Sequence, residues 1–228
     1  MMVDGGPAPF RDQLADALDA RGLRTMKYFL NTHYHDDHID GLYYLLKKGF
    51  APEAYLHSYS PSAIESSELC KRTWNEAQKH DVPVERIGNG DTLTLGDAKI
   101  DVYQYEKILN TNARSLVLRV QFGESSVLLC ADIIGDTQRY FTKNLPAEVL
   151  DCDIVKLPHH AITPAVPEFL DAISPLAAMV TNTPSRVKNS SKSQLESRDL
   201  VSYYAGSGTV YAVTDGMDWY IWQTPGEF

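Results

Sequence analysis

Thr32-His33-Tyr34-His35-Asp36-Asp37-His38-Ile39-Asp40-Gly41 puts three of the chain's seven histidines within six residues, with the Asp37 carboxylate between the second and third. The run before it, Met26-Lys27-Tyr28-Phe29-Leu30, reads as a buried strand. The run after it, Ile39 to Lys48, has helical spacing: Leu42, Leu45 and Leu46 share a face, and Gly49 is placed as a stop. The cluster therefore sits on a strand-to-helix turn. His33 and His35 project from the same side of an extended segment, and Asp37 and His38 fall where the chain curls into the helix. Imidazole and carboxylate are the usual ligands of Zn²⁺ and related divalent metals. A polar turn rich in histidine by accident is the bland reading. It suits an isolated histidine better than three with an aspartate on one turn.

Working outward, the chain before this turn starts with Met1-Met2-Val3, read as the end of a strand, and a glycine turn at Asp4-Gly5-Gly6-Pro7. Phe10 to Ala20 is an amphipathic helix closed by Gly22. Beyond the turn, Glu53 to His57 is a short strand, and Pro61 opens a long polar helix reaching about Lys79. From Val84 the pattern becomes β. Turn signals at Asn89-Gly90-Asp91 and Leu95-Gly96-Asp97 flank a short strand, Ile100 to Tyr105 alternates, and so does Leu116 to Phe122. Val127 to Ala131 is an apolar strand ending on Asp132, and Ile154 to Leu157 another ending at Pro158-His159-His160. Helices are expected at 138–144, 166–173 and 191–205. Strands are expected at 177–180, 210–213 and 219–222. Helices alternate with strands at both ends around a β-rich middle, which argues for one domain, 1–228, of mixed α/β layering.

The 228 residues suffice for one large domain with a proper core. The net charge of −9 disfavours a purely electrostatic nucleic-acid binder, without excluding a local basic channel. Cys70, Cys130 and Cys152 are an odd number at wide spacing, so neither a disulfide framework nor a metal knuckle is visible, and they read as small apolar residues. No run approaches the ~20 apolar residues of a membrane span, and no signal-peptide pattern opens the chain. The expectation is a soluble, cytoplasmic protein without membrane contact, of undetermined oligomeric state.

Two further places put ligand chemistry at a strand end. A carboxylate at Asp132, after a central apolar strand, is costly unless paired or metal-bound; the alternative is a helix N-cap. His159-His160 is either a second ligand cluster or a satisfied polar turn. Five of the seven histidines lie in the two strand-end clusters, while His57 and His80 read as structural or surface residues.

The pattern His33-x-His35-x-Asp37-His38 resembles the HxHxDH signature of the metallo-β-lactamase fold. Asp4 in Val-Asp-Gly-Gly resembles that family's first-motif aspartate, and Asp132 its bridging aspartate. Within the superfamily the chain is most similar to the soluble metallo-β-lactamase domain of the DNA-uptake protein ComEC. Asn112, Ser115-Leu116-Val117-Leu118-Arg119 and Leu157-Pro158-His159-His160 carry that likeness. Three positions depart from it: Ala131 and Ala161 stand where glycines are expected, and Asn189 where a histidine is. The hairpin expected before the first strand is also absent.

The resemblance implies an αββα sandwich with one or two divalent metals, Zn²⁺ first and Mn²⁺ or Fe as alternatives. His33 and His35 would hold one, Asp37 and His38 the other, with Asp132 bridging. One of the paired histidines would complete a shell. His159 is taken as that ligand and His160 as the acid that protonates the leaving oxygen, an order the sequence does not fix. Asp37 would also orient the nucleophile. The implied function is metal-dependent hydrolysis of a phosphodiester, in a small molecule or a nucleic acid. Hydrolysis of a small ester, thioester or lactone is the first rival. A degenerate, non-catalytic relative is the second, favoured by Asn189 and the missing hairpin.

Overall fold

The computed structural model describes residues 1–108 and 110–226. They form two compact units, Met1–Gly88 and Asn89–Phe228.

In the first unit, strands β1 (Met2–Val3), β2 (Thr25–Leu30), β3 (Ala51–His57) and β4 (Val84–Arg86) make an all-parallel sheet in sequence order. Parallel neighbours need crossovers. Helices α1 (Arg11–Asp19), α2 (Asp36–Lys47), α3 (Pro61–Ser66) and α4 (Glu68–Lys79) supply them. Leu42, Leu45 and Leu46 of α2 are fully buried against Ala15 of α1, Phe29, Tyr55 and Ala77 of α4, as their spacing predicts. The helix stops at Gly49, whose φ of +81° only glycine adopts readily. The single long helix expected from Pro61 to Lys79 is two helices. Ser67 is extended (φ −103°, ψ 115°) and its Oγ accepts from the Cys70 N–H, so it starts α4 as a cap.

The second unit holds a seven-stranded sheet of β5 (Thr92–Leu95), β6 (Ala98–Tyr103), β7 (Val117–Phe122), β8 (Ser125–Leu129), β9 (Ile154–Lys156), β10 (Ala177–Val180) and β11 (Val201–Tyr204). It is antiparallel from β5 to β8 and parallel from β8 to β11. Its core joins Val117, Leu128, Val155 and Ala178 to Phe141 of α5 (Gly135–Asn144), Leu150 of α6 (Ala147–Leu150), Phe169 of α7 (Pro167–Ile173) and Leu195 of α8 (Asn189–Glu196). Strands β12 (Val210–Thr214) and β13 (Trp219–Gln223) pair as a hairpin. Both units are helix-over-sheet layers, so the mixed α/β reading holds. The helix expected over 191–205 is wrong in its second half. It ends at Glu196, Asp199 turns the chain with φ +49°, and Val201–Tyr204 joins the sheet edge, in keeping with its β-branched and aromatic residues.

The three cysteines are buried and free, and burial pushes the Cys152 thiol up to about 12. Among the described residues no helix is long and apolar enough to cross a membrane.

Candidate metal centre

In the first unit the turn after β2 does what its sequence predicts. His33 is buried in the extended segment, His35 is the N-cap of α2, and Asp37 and His38 lie in its first turn, Asp37 exposed and His38 buried. The His33 ring centroid is 4.7 Å from that of His35 and 4.0 Å from that of His38.

Asp4 organises them. It has φ +56° and accepts from Asn31 Nδ2 at 2.7 Å, the Thr32 N–H at 2.8 Å and Thr32 Oγ1 at 2.7 Å. His38 Nδ1 lies 2.6 Å from its Oδ2. A carboxylate only accepts, so His38 carries its proton on Nδ1 and presents the Nε2 lone pair. The Thr32 hydroxyl gives its hydrogen to Asp4, so it accepts from His33 Nδ1 at 3.1 Å. That leaves His33 Nε2 as a lone pair too. One carboxylate thus fixes the tautomer of two imidazoles, the arrangement that orients metal-ligating histidines. Burial alone would raise the Asp4 carboxyl; His38, His33 and the Thr32 N–H outweigh it and bring the pKa below the ordinary value.

Asp4 reaches this position through glycines. A Cβ on Gly5 would lie 2.2 Å from Leu42 N, and one on Gly41 would lie 1.9 Å from Gly5 O. The loop therefore lies directly on α2, with Gly5 N–H donating to the His38 carbonyl at 2.7 Å. Sequence reading noted Asp4 without giving it a role. The glycine pair Gly5 and Gly6 beside it was the available signal.

His57, at the end of β3, is a different kind of histidine. Its Nδ1 accepts the Tyr59 N–H at 3.0 Å and its ring packs on Trp74. Burial first, and Arg86 second, lower its pKa to about 4. It is structural, as the sequence indicated. His80, on the surface beside Glu76, is also outside the cluster.

In the second unit Asp132 is buried after β8. It is not a helix cap: the N-cap of α5 is Ile134. Asp132 Oδ2 lies 3.3 Å from His160 Nε2, and Oδ1 lies 3.5 Å from Lys156 Nζ. His160 Nδ1 faces Thr181 Oγ1 at 2.8 Å and the Thr181 carbonyl at 3.2 Å, so it donates there. His160 Nε2 and Asp132 Oδ2 are then both acceptors, a pair that a proton or a cation between them relieves. His159 is held differently, with Nε2 3.3 Å from Asn112 Nδ2 and Nδ1 3.2 Å from Thr163 Oγ1. Ala131, His159, His160 and Ala161 all have φ between +45° and +55°. Each is a left-handed residue that is not glycine. Asn189, expected to stand in for a histidine ligand, is the exposed first residue of α8.

The donor set fits a divalent cation by its chemistry. In the first unit the buried His33 and His38, and in the second the half-buried His160, have their Nδ1 protons committed to protein acceptors, which leaves Nε2 as the lone-pair atom; that of His160 faces the Asp132 carboxylate.

A family model described as the metallo-beta-lactamase superfamily matches residues 1–166. No curated protein matches the chain. Among solved structures, it is similar to the metallo-beta-lactamase fold protein YhfI from Bacillus subtilis. That likeness has 13% identity and a TM-score of 0.55, covering 91% of this chain and 85% of that one. It is also similar to a mutant of the CmlA beta-hydroxylase, with 17% identity and a TM-score of 0.55, covering 78% of this chain. CmlA is described as a diiron enzyme from Streptomyces venezuelae. The chain spans 42% of that mutant's length.

Proposed function

Because the chain belongs to the metallo-β-lactamase superfamily, we propose that it is a metal-dependent hydrolase cleaving a phosphodiester, in a small molecule or a nucleic acid. The observation that carries the metal reading is Asp4 setting the tautomers of His38 and His33, so that both present Nε2. We assign the ligands as His33, His35, Asp37 and His38 in the first unit and Asp132 with one histidine of the His159-His160 pair in the second. One or two ions are expected, Zn²⁺ first, with Mn²⁺ or Fe as alternatives. Bound there, such a cation supplies Lewis acidity and lowers the pKa of water.

The chain's own residues do the rest. Asp4 holds His38 by its Nδ1 proton. Asp37, exposed beside His38, orients the attacking water as well as ligating. Of the pair, His160 is proposed as the ligand, because its Nε2 faces Asp132 while Thr181 holds its Nδ1. His159, between the neutral groups of Asn112 and Thr163, is proposed to protonate the leaving oxygen. These two roles exchange the order taken from sequence. The phosphodiester reading leans on the ComEC-like residues Asn112, Ser115 to Arg119 and Leu157 to His160. The whole chain is taken to act as one domain, in the cytoplasm.

One observation favours a small apolar ester instead. A cavity of about 460 Å³ in the second unit is lined by Val127, Ile154, Met179, Tyr203 and Ala212, together with Thr181, the partner of His160. An alkyl or aryl group would suit it. The test is turnover of bis(p-nitrophenyl) phosphate against p-nitrophenyl butyrate, before and after chelation. Diester turnover lost on chelation and restored by Zn²⁺ or Mn²⁺ is expected. Faster ester turnover supports the second reading. No turnover with any metal contradicts both and leaves a non-catalytic relative.

A further inference from the structure

Lys156 is the last residue of β9, and its side chain is only 14% exposed. Its Nζ donates to the Ala131 carbonyl at 2.7 Å, while the Asp132 Oδ1 is farther off at 3.5 Å. The same carbonyl accepts the His159 N–H at 3.0 Å. Ala131 has φ +45°, a left-handed conformation that is unfavourable for a residue with a Cβ. One carbonyl oxygen therefore ties together the ammonium of β9, the strained turn after β8, and the start of the His159-His160 loop. Burying an ammonium is costly unless it is hydrogen-bonded and near an opposite charge. Here the short contact goes to the backbone and the long one to the carboxylate.

We propose that Lys156 is a positioning residue that pins the Ala131 carbonyl, and so aims the Asp132 carboxylate at His160 and seats His159. This rests on the metal reading above. The hydrogen bond carries the effect and the ion pair adds little. Without the pin, Ala131 can relax toward an ordinary conformation, which turns Asp132 away from His160. Lys156 touches neither substrate nor metal in this role.

The test is Co²⁺ titration of the apoprotein, read by affinity and by the visible d–d absorption. Lys156→Met keeps the aliphatic stem and removes the donor. It should retain the wild-type circular dichroism, bind Co²⁺ about tenfold or more weakly, and show an altered d–d band. Lys156→Arg, which keeps a donor, should recover most of the affinity and the wild-type band. A merely structural lysine would change stability without changing the band. If Lys156→Met does not fold, Lys156→Gln replaces it, with a smaller loss expected. Wild-type affinity and spectrum in a folded Lys156→Met or Lys156→Gln protein would overturn the proposal. A wild-type protein that takes up no Co²⁺ contradicts the metal reading instead. In that event the ¹⁵N shifts of the His159 and His160 rings decide: altered signals in the variant support the pin, and unaltered signals overturn it.

Discussion

The candidate sites of the two units both lie on loops that follow strands, yet they are built on different principles. The loop after β2 is local and relaxed. His33, His35, Asp37 and His38 come from one continuous strand–turn–helix, and the left-handed residue that serves them, Asp4, lies on a separate glycine loop. The loops after β8 and β9 are assembled from residues about thirty positions apart, and four of their residues sit in left-handed conformations without being glycine. The first site is thus specified by spacing, and the second by tertiary contacts that hold strained backbone in place: the Lys156 and His159 bonds to the Ala131 carbonyl and the Thr181 bond to His160. Perturbations should accordingly act on metal in the first region and on backbone geometry in the second.

The largest effect should come from emptying the first region. His33→Ala combined with His35→Ala should lower the stability of metal-saturated protein by about 3 kcal/mol, the linkage expected for a ligand at about a hundred times its Kd. Thermal unfolding with and without added Zn²⁺ measures this. Equal unfolding curves for both proteins in Zn²⁺ would break the comparison.

The same unit contains a histidine of the opposite kind. His57 has a folded pKa of about 4, below its unfolded value, so the unfolded chain binds the extra proton first as pH falls. Its contribution is fully present above about pH 6.5 and is lost as pH falls toward 4, by up to about 3 kcal/mol. Denaturant titrations of metal-free protein at several pH values should show that slope, and His57→Gln should flatten it. An unchanged slope in His57→Gln would assign the acid sensitivity elsewhere.

Asp4 tests whether tautomer control matters. Asp4→Asn replaces one of the two acceptor oxygens with an NH2 donor, so the bonds at Oδ1 from Asn31 and the Thr32 N–H and those at Oδ2 from His38 and the Thr32 hydroxyl cannot all be kept. Metal affinity should fall about 10- to 100-fold with little change in fold, which isothermal titration would detect. Retained affinity would reduce Asp4 to a structural role.

The smallest effect belongs to the second region. Ala131→Gly and Ala161→Gly each place a residue without Cβ at a positive φ, and each should raise stability by about 0.5–1 kcal/mol. Both alanines are buried, so lost packing works against the gain. Destabilisation by either change would mean that contacts of the methyl outweigh the backbone strain.

This contrast also explains what was legible in the sequence. The α2 face, the strand before it and the position of the histidine-bearing turn follow from short-range periodicity over residues 26–49 alone. Departures from the family pattern at 131 and 161 were visible as letters. Their meaning needed backbone angles, since an alanine is unremarkable until its φ is known. Asp132 as cap or ligand was undecidable from sequence, because either follows a strand; the N-cap of α5 at Ile134, two residues later, removes the cap. The strand at 201–204 was missed because the polar run before it continues a helical composition past its true end. Lys156 carried no signal at all. A lysine at a strand end is ordinary until its nitrogen is found 2.7 Å from a buried carbonyl.

Elemental mass spectrometry of the purified chain, beside the His33→Ala and His35→Ala double variant, tests most directly whether these histidines and aspartates hold a divalent metal. The wild-type protein should carry one to two equivalents of Zn, Mn or Fe, and the variant about one fewer. A wild-type chain with no metal above the buffer background, or a variant with unchanged content, would contradict the metal reading.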